Sequence, residues 1–188
     1  MALSQAGLLH VQFEAIHPYL NGNGRIGRLL ITLLLEHWNL LDVPLLYLSL
    51  YFKRHRAEYY RLLNAVRTDG DFENWLKYFL EGVAVIADET VAATQQLFAL
   101  INADRTRMLA GKTTSVASIR LFELLPAHPI ITVAGAVKLL KTTKPTATKA
   151  VSRLVEAGIL VETTGRRRDR SYSYEAYLRL LRTGTDTE

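Results

Sequence analysis

Apolar residues recur along most of this chain at the three-to-four spacing of helices with one buried side, and alternate strictly only near its end. Leu8 to His17 reads as a helix that must stop at Pro18, because proline disfavours helical backbone in the residue before it. From about Gly24 to His37 the helix is filled on its inside by Ile, Leu and Thr, unbroken from Leu29 to Leu35, which predicts a helix buried on most sides at the centre of a helical domain. Pro44 opens a short connection, Ser49 is placed to cap, and LYFKRHRAEYYRLLNAVR continues as a helix to about Arg67. After the TDGD turn, Asp71 caps the next segment. Val83, Ile86, Val91, Leu97, Ile101 and Met108 keep helical spacing there, so one or two long helices are expected, bent or broken near Gly82.

Beyond Gly111 the periods shorten. Val116 to Leu125 is helical, Pro126 and Pro129 break it, and Thr132 to Leu140 is a short helix. Thr143 can cap KPTATKAVSRLVEAG, which carries Pro145 in its first turn and closes at Gly158. ILVETT, a GRRRDR tip and SYSYEAYL then predict two β-rich runs around a glycine turn. Three helices followed by a hairpin is winged helix-turn-helix order. Thr143 to Ala157 would be its recognition helix, offering Lys144, Thr146, Lys149 and Arg153 to phosphates or base edges of duplex DNA. Arg166, Arg167, Arg168 and Arg170 would form the wing against the DNA backbone. The expected fold is mainly α: a helical domain over residues 1–112, and a small winged helix-turn-helix domain with a β-hairpin wing over 113–188.

Charge sharpens that division. Residues 1–112 balance, with 11 basic against 11 acidic side chains, while residues 113–188 carry 12 against 7, so the net charge of +5 lies wholly in the second part. That asymmetry suits a neutral module followed by one that binds a polyanion. Hydrophobic residues make up 49% of the chain, enough to build a core, yet no segment has the length of apolar sequence that a membrane span needs. The absence of Cys excludes disulfides and thiolate metal sites, and with no recognisable leader the expected location is the cytoplasm.

Candidate chemistry concentrates in HPYLNGNGRIGRLL, His17 to Leu30. Gly22, Gly24 and Gly27 spell GxGxxG, but what precedes them is helical, and the alternating strand-helix pattern that a dinucleotide site requires does not follow. A Walker A loop fails for want of a closing GK(S/T). What remains is a helix whose first turn holds Arg25 and Arg28, although helix N-termini favour acidic side chains by roughly 0.3–1 kcal/mol each. The two arginines lie three apart on one face and lean back toward Gly22 to Gly24, a composition that calls for a bound anion. His17, on the other side of the loop, is suited to take a proton from a hydroxyl attacking that anion.

Residues 17–28, HPYLNGNGRIGR, closely resemble the signature of Fic proteins, HxFx(D/E)GNGRxxR. The resemblance extends back through His10, Phe13 and Ile16, and forward through LLYLSLYFKRHRAEYY to the winged-helix tail common in bacterial members. It implies an enzyme that transfers AMP from ATP, with Mg²⁺, to a Ser, Thr or Tyr hydroxyl of a target protein. His17 would then be the general base; Gly22, Asn23 and Gly24 the anion hole; Arg25 and Arg28 the ligands of the β and γ phosphates. The family's metal-holding Asp or Glu is Asn21 here, which keeps an oxygen but loses the charge. Tyr19 replaces the family's Phe, and no (S/T)xxxE(G/N) inhibitory motif is present. The resemblance covers the second half of a Fic domain plus its C-terminal extension, so a shortened, weakly active transferase is expected. The alternative is a DNA-binding regulator whose first module senses nucleotide or forms a homodimer without turnover.

Overall fold

The computed structural model describes residues 2–42, 46–111, 114–166 and 169–183. They form two compact units that divide between Ala92 and Ala93. No helix among the described residues is long and apolar enough to cross a membrane.

Among the described residues the regular elements of the first unit are all helices: α1 (Ala2–Ile16), α2 (Asn23–His37), α3 (Leu48–Arg54), α4 (Arg56–Asp69) and the start of α5 (Phe72–Ala110). Helix α1 begins earlier than its apolar pattern suggests and ends where Pro18 requires. The single helix expected up to Arg67 is instead two, with Tyr47 rather than Ser49 before the first turn and a break at His55. Gly70 closes α4 in left-handed backbone (φ 70°) while its N–H reaches Val66 O at 3.1 Å, and Asp71 then caps α5 by accepting from Asn74 N at 3.3 Å.

Helix α5 runs through Gly82 without a break. Gly82 is there for contact: a Cβ at this position would fall 2.5 Å from Tyr51 Cδ1, so only glycine lets α3 come this close to α5. The core gathers Val11, Ile31, Leu35, Phe52, Tyr59, Leu62, Trp75 and Phe79. His10 is fully buried among them, stacked on Phe52 and Trp75 with ring centroids 5.8 Å away, and its Nε2 pairs with Tyr59 Oη at 2.9 Å. Trp75 Nε1 donates to Gly7 O at 2.9 Å, tying α5 to α1.

The second unit holds the rest of α5, then α6 (Val116–Leu124), β1 (Ile130–Thr132), α7 (Val133–Leu140), α8 (Lys144–Glu156), β2 (Val161–Glu162), β3 (Ser171–Ser173) and α9 (Glu175–Thr183). Its strands form an antiparallel sheet in the order β1-β3-β2, with Ile130 opposite Ser173 and Glu162 opposite Tyr172. Strand β1 was not anticipated, and SYSYEAYL is strand only as far as Ser173 before it turns into α9. Ser115 and Ser118 form a capping box on α6, and Thr132 Oγ1 caps α7 by accepting from Gly135 N at 3.1 Å. Thr143 precedes α8 without a capping bond from its side chain, so Pro145 and the packing of Ala147, Ala150, Val151 and Leu154 hold that helix. The core closes on Leu121, Phe122, Leu125, Leu160 and Tyr174. Asp104, only 1% exposed, accepts from Tyr174 Oη at 2.7 Å and pairs with Arg107.

Candidate functional site

The loop between α1 and α2 is bracketed by two left-handed residues. His17 (φ 50°) terminates α1 with its N–H on Phe13 O at 3.0 Å, and Pro18 directly after it prevents the helix from resuming. Gly22 (φ 86°) opens α2, its carbonyl accepting from Arg25 N at 3.0 Å and Ile26 N at 3.1 Å. Directly after Gly22, Asn23 acts as a brace. It is buried, its Oδ1 accepts from Tyr19 N at 3.0 Å, and its Nδ2 donates to Tyr19 O at 2.5 Å. The Asn23 side chain therefore shapes the loop from within.

No acidic side chain or side-chain cap occupies the first turn of α2. Arg25 Nη2 lies 3.8 Å from where a Cβ at Gly22 would stand, and Arg28 Nη1 lies 3.1 Å from the same point at Gly24. Both guanidinium groups thus fold back over the glycines, as their spacing predicts. Gly27 does a different job. A side chain there would strike Glu14 Oε1, with Phe13 at 3.1 Å and His10 at 3.2 Å, so Gly27 sets the close approach of α2 to α1.

His17, Asn21 and Arg25 are exposed and Arg28 is partly buried. The structure thus brings His17, Gly22, Asn23, Gly24, Arg25 and Arg28 to one end of α2. Asn21 offers only a neutral amide oxygen, and among the described residues no three His, Cys, Asp or Glu side chains cluster to hold a metal. This donor set does not make a protein-held Mg²⁺ site, since that ion is normally bound by at least one carboxylate beside phosphates.

Two features escaped the sequence. Glu14 is half-buried: burial raises its pKa, and the opposing pull of Arg28 and His17 places its carboxyl within electrostatic reach of both. Its Oε1 is buried without a hydrogen-bond partner among the described residues. The second feature is a cleft of about 250 Å³ beside His17, lined by Glu14, Tyr60, Leu63, Asn64 and Arg67. The four α4 residues follow i, i+3, i+4, i+7, a signal of one shared face that was available in the sequence. Arg56 stands over the Tyr60 ring at 5.6 Å.

In the second unit Lys144, Thr146 and Lys149 are exposed on α8 and Arg153 is partly buried, while Arg166 and Arg170 are exposed on the wing. Arg167 and Arg168 lie outside the described residues. Apart from Arg166, the remaining basic candidates separate into two clefts. Lys144 and Arg170 line one of about 730 Å³ with Lys138, Thr148 and Tyr172; Thr146, Lys149 and Arg153 line another of about 400 Å³ with Arg120. The wing is braced by Glu162, whose Oε1 accepts from Thr164 Oγ1 and Gly165 N, both at 2.8 Å. These bonds, that from the Thr164 side chain foremost, hold its pKa below the usual carboxylate range.

The left-handed histidine, the braced loop and the two folded-back arginines all fall in the first part of the chain. Residues 1–35 match the model of the Fic/DOC family.

Proposed function

We propose that this protein binds ATP at the N-terminus of α2 and transfers AMP to a protein hydroxyl. The observation that carries this is the folding of Arg25 and Arg28 over Gly22 and Gly24 at a helix start that lacks any acid. Fixed N–H groups and two guanidinium groups at one point suit a polyphosphate, whose transfer depends mostly on positioning and charge stabilisation. Arg25 and Arg28 hold the β and γ phosphates, and the backbone at Gly22 to Gly24 receives the α-phosphate oxygen. His17 takes the proton from the incoming Ser, Thr or Tyr hydroxyl. That oxygen bonds to the α-phosphorus as the bond to pyrophosphate breaks.

The cleft on α4 is smaller than the roughly 300–1,000 Å³ of a site that encloses a whole ligand, so it suits the base alone, against Tyr60 and within reach of Asn64 and Arg67. Mg²⁺ enters with the nucleotide as part of the substrate, and Asn21 contributes at most a neutral oxygen to it. Incubation with labelled ATP, Mg²⁺ and lysate, beside His17→Ala and Asn21→Asp variants, tests the assignment. Label is expected on protein with the wild type, less with His17→Ala and more with Asn21→Asp. Label with none of the three rules out transfer; calorimetric ATP binding without label supports the nucleotide-sensing regulator instead.

The winged-helix unit favours duplex DNA as a further partner through the cleft that joins Lys138 and Lys144 to Arg170. Gel shifts with random duplex should show binding that falls steeply with salt. Binding absent even at low salt would leave this unit as a protein-interaction module.

A further inference from the structure

Glu14 carries a carboxylate oxygen that the fold encloses and leaves without a donor. Its Oε1 has no hydrogen-bond partner among the described residues and is shut off from solvent, so whatever answers its charge must already lie around it. Two glycines set those surroundings. At Gly27 the missing side chain makes room for Glu14 Oε1 beside Phe13 and His10. At Gly24, Arg28 Nη1 lies 3.1 Å and Glu14 Oε1 3.9 Å from the point where a Cβ would stand, so carboxylate and guanidinium flank one glycine of the loop.

The buried polar neighbours His10 and Tyr59 bring no charge at neutral pH. Burial holds the His10 pKa down to about 4 and raises that of Tyr59, whose hydroxyl pairs with His10 Nε2 at 2.9 Å. Glu14 differs from both. Burial raises its pKa, but Arg28 and then His17 pull it back down. An enclosed carboxylate is costly unless a cation faces it, and a guanidinium that faces one with a single edge keeps donors free on the other. We propose that Glu14 is a positioning residue of the phosphate site, its carboxylate holding the Arg28 guanidinium over Gly24 where an anion meets it. This role rests on the reading of Arg28 as a phosphate ligand.

The sign of one effect separates positioning from simple repulsion. Removing a negative charge beside a polyphosphate should tighten binding by Coulomb's law alone, whereas losing a positioning group should weaken it. Calorimetric titration of the full chain with ATP is the test, with circular dichroism as the check on folding. Glu14→Gln, which keeps the shape and removes the charge, is expected to bind ATP about tenfold more weakly. AMP lacks the phosphates given to Arg28 and should bind wild type and variant alike, while a merely structural Glu14 would lower both affinities. In an Arg28→Ala background, Glu14→Gln should cost no further affinity, because the group it positions is gone. Glu14→Asp, whose arm is one methylene shorter, takes its place in the same cycle if the Gln variant does not fold. Unchanged or tighter ATP binding by the Glu14 variant, beside a weakened Arg28→Ala, overturns the proposal and leaves the phosphate site standing. Equal losses for ATP and AMP, or additive losses in the double variant, overturn it as well. ATP affinity indifferent to Arg28→Ala, or no ATP binding by the wild type, removes the phosphate reading and this role with it.

Discussion

The side-chain amide of Asn23 closes on both backbone polar groups of Tyr19, accepting at 3.0 Å and donating at 2.5 Å across four residues. This pair makes the loop before α2 a preformed shape. Replacing Asn23 with Ala leaves the N–H and C=O of Tyr19 unsatisfied, at an expected cost of about 1–3 kcal/mol in urea unfolding. ATP affinity, followed by calorimetry under conditions where the variant stays folded, should fall as well, because the glycines and arginines lose their common frame. Asn23→Asp should not rescue either property, since a carboxylate cannot donate to Tyr19 O.

Gly82→Ala reverses the usual sign of a helix substitution. In an open helix interior, alanine is favoured over glycine by roughly 0.5–1 kcal/mol. Here the added methyl meets the Tyr51 ring at 2.5 Å, and overpacking of this kind costs about 1–3 kcal/mol. Thermal unfolding should place the Gly82→Ala variant below the wild type, and a Tyr51→Ala background should lessen the penalty of adding the methyl.

His10 makes stability depend on pH. Burial in the aromatic core holds its pKa down to about 4, against 6.5 for the free side chain, with the nearby Arg28 acting in the same direction. The unfolded chain therefore binds more protons than the native one between those values, and stability rises with pH across that window. Its contribution is complete above pH 6.5, is lost as pH falls toward 4, and amounts to roughly 3 kcal/mol. Glu14, whose pKa is raised by burial, acts in the opposite sense. Urea midpoints at pH 7 and pH 4.5 should differ by more in the wild type than in His10→Gln, which carries no titrating ring.

In the second unit, Tyr174→Phe removes the hydroxyl that donates to buried Asp104. A carboxylate then keeps Arg107 on one side and loses its partner on the other, an expected loss of about 1–3 kcal/mol. Burial raises the Tyr174 pKa to about 12, so the bond stays intact well above neutral pH. Urea unfolding monitored by far-ultraviolet circular dichroism at pH 7 and pH 9 should show the same deficit at both.

The helices were legible because their apolar period is strong, and the loop was legible because His17, the glycines and both arginines fall within twelve consecutive residues. What escaped depends on partners remote in the chain. Gly82 reads locally as a breaker, and only the arrival of Tyr51 from α3 explains why the helix needs it. Tyr174 continues the alternation of a strand, yet it is fully buried at the turn into α9. The cleft beside His17 required α4 to pack near the end of α1, a pairing that no local pattern announces. The bonds from the Asn23 side chain to Tyr19 likewise depend on a loop shape that no local pattern announces.

The left-handed backbone of His17 affects how its chemistry should be isolated. Asparagine visits this region several-fold more readily than most side chains, whereas alanine gains no local hydrogen bond to offset its cost. An alanine variant therefore loses the imidazole and strains the chain end of α1 at once, while His17→Asn loses the imidazole alone. Activity lost equally in both would assign the deficit to the missing proton acceptor; activity kept by asparagine would assign it to the bend.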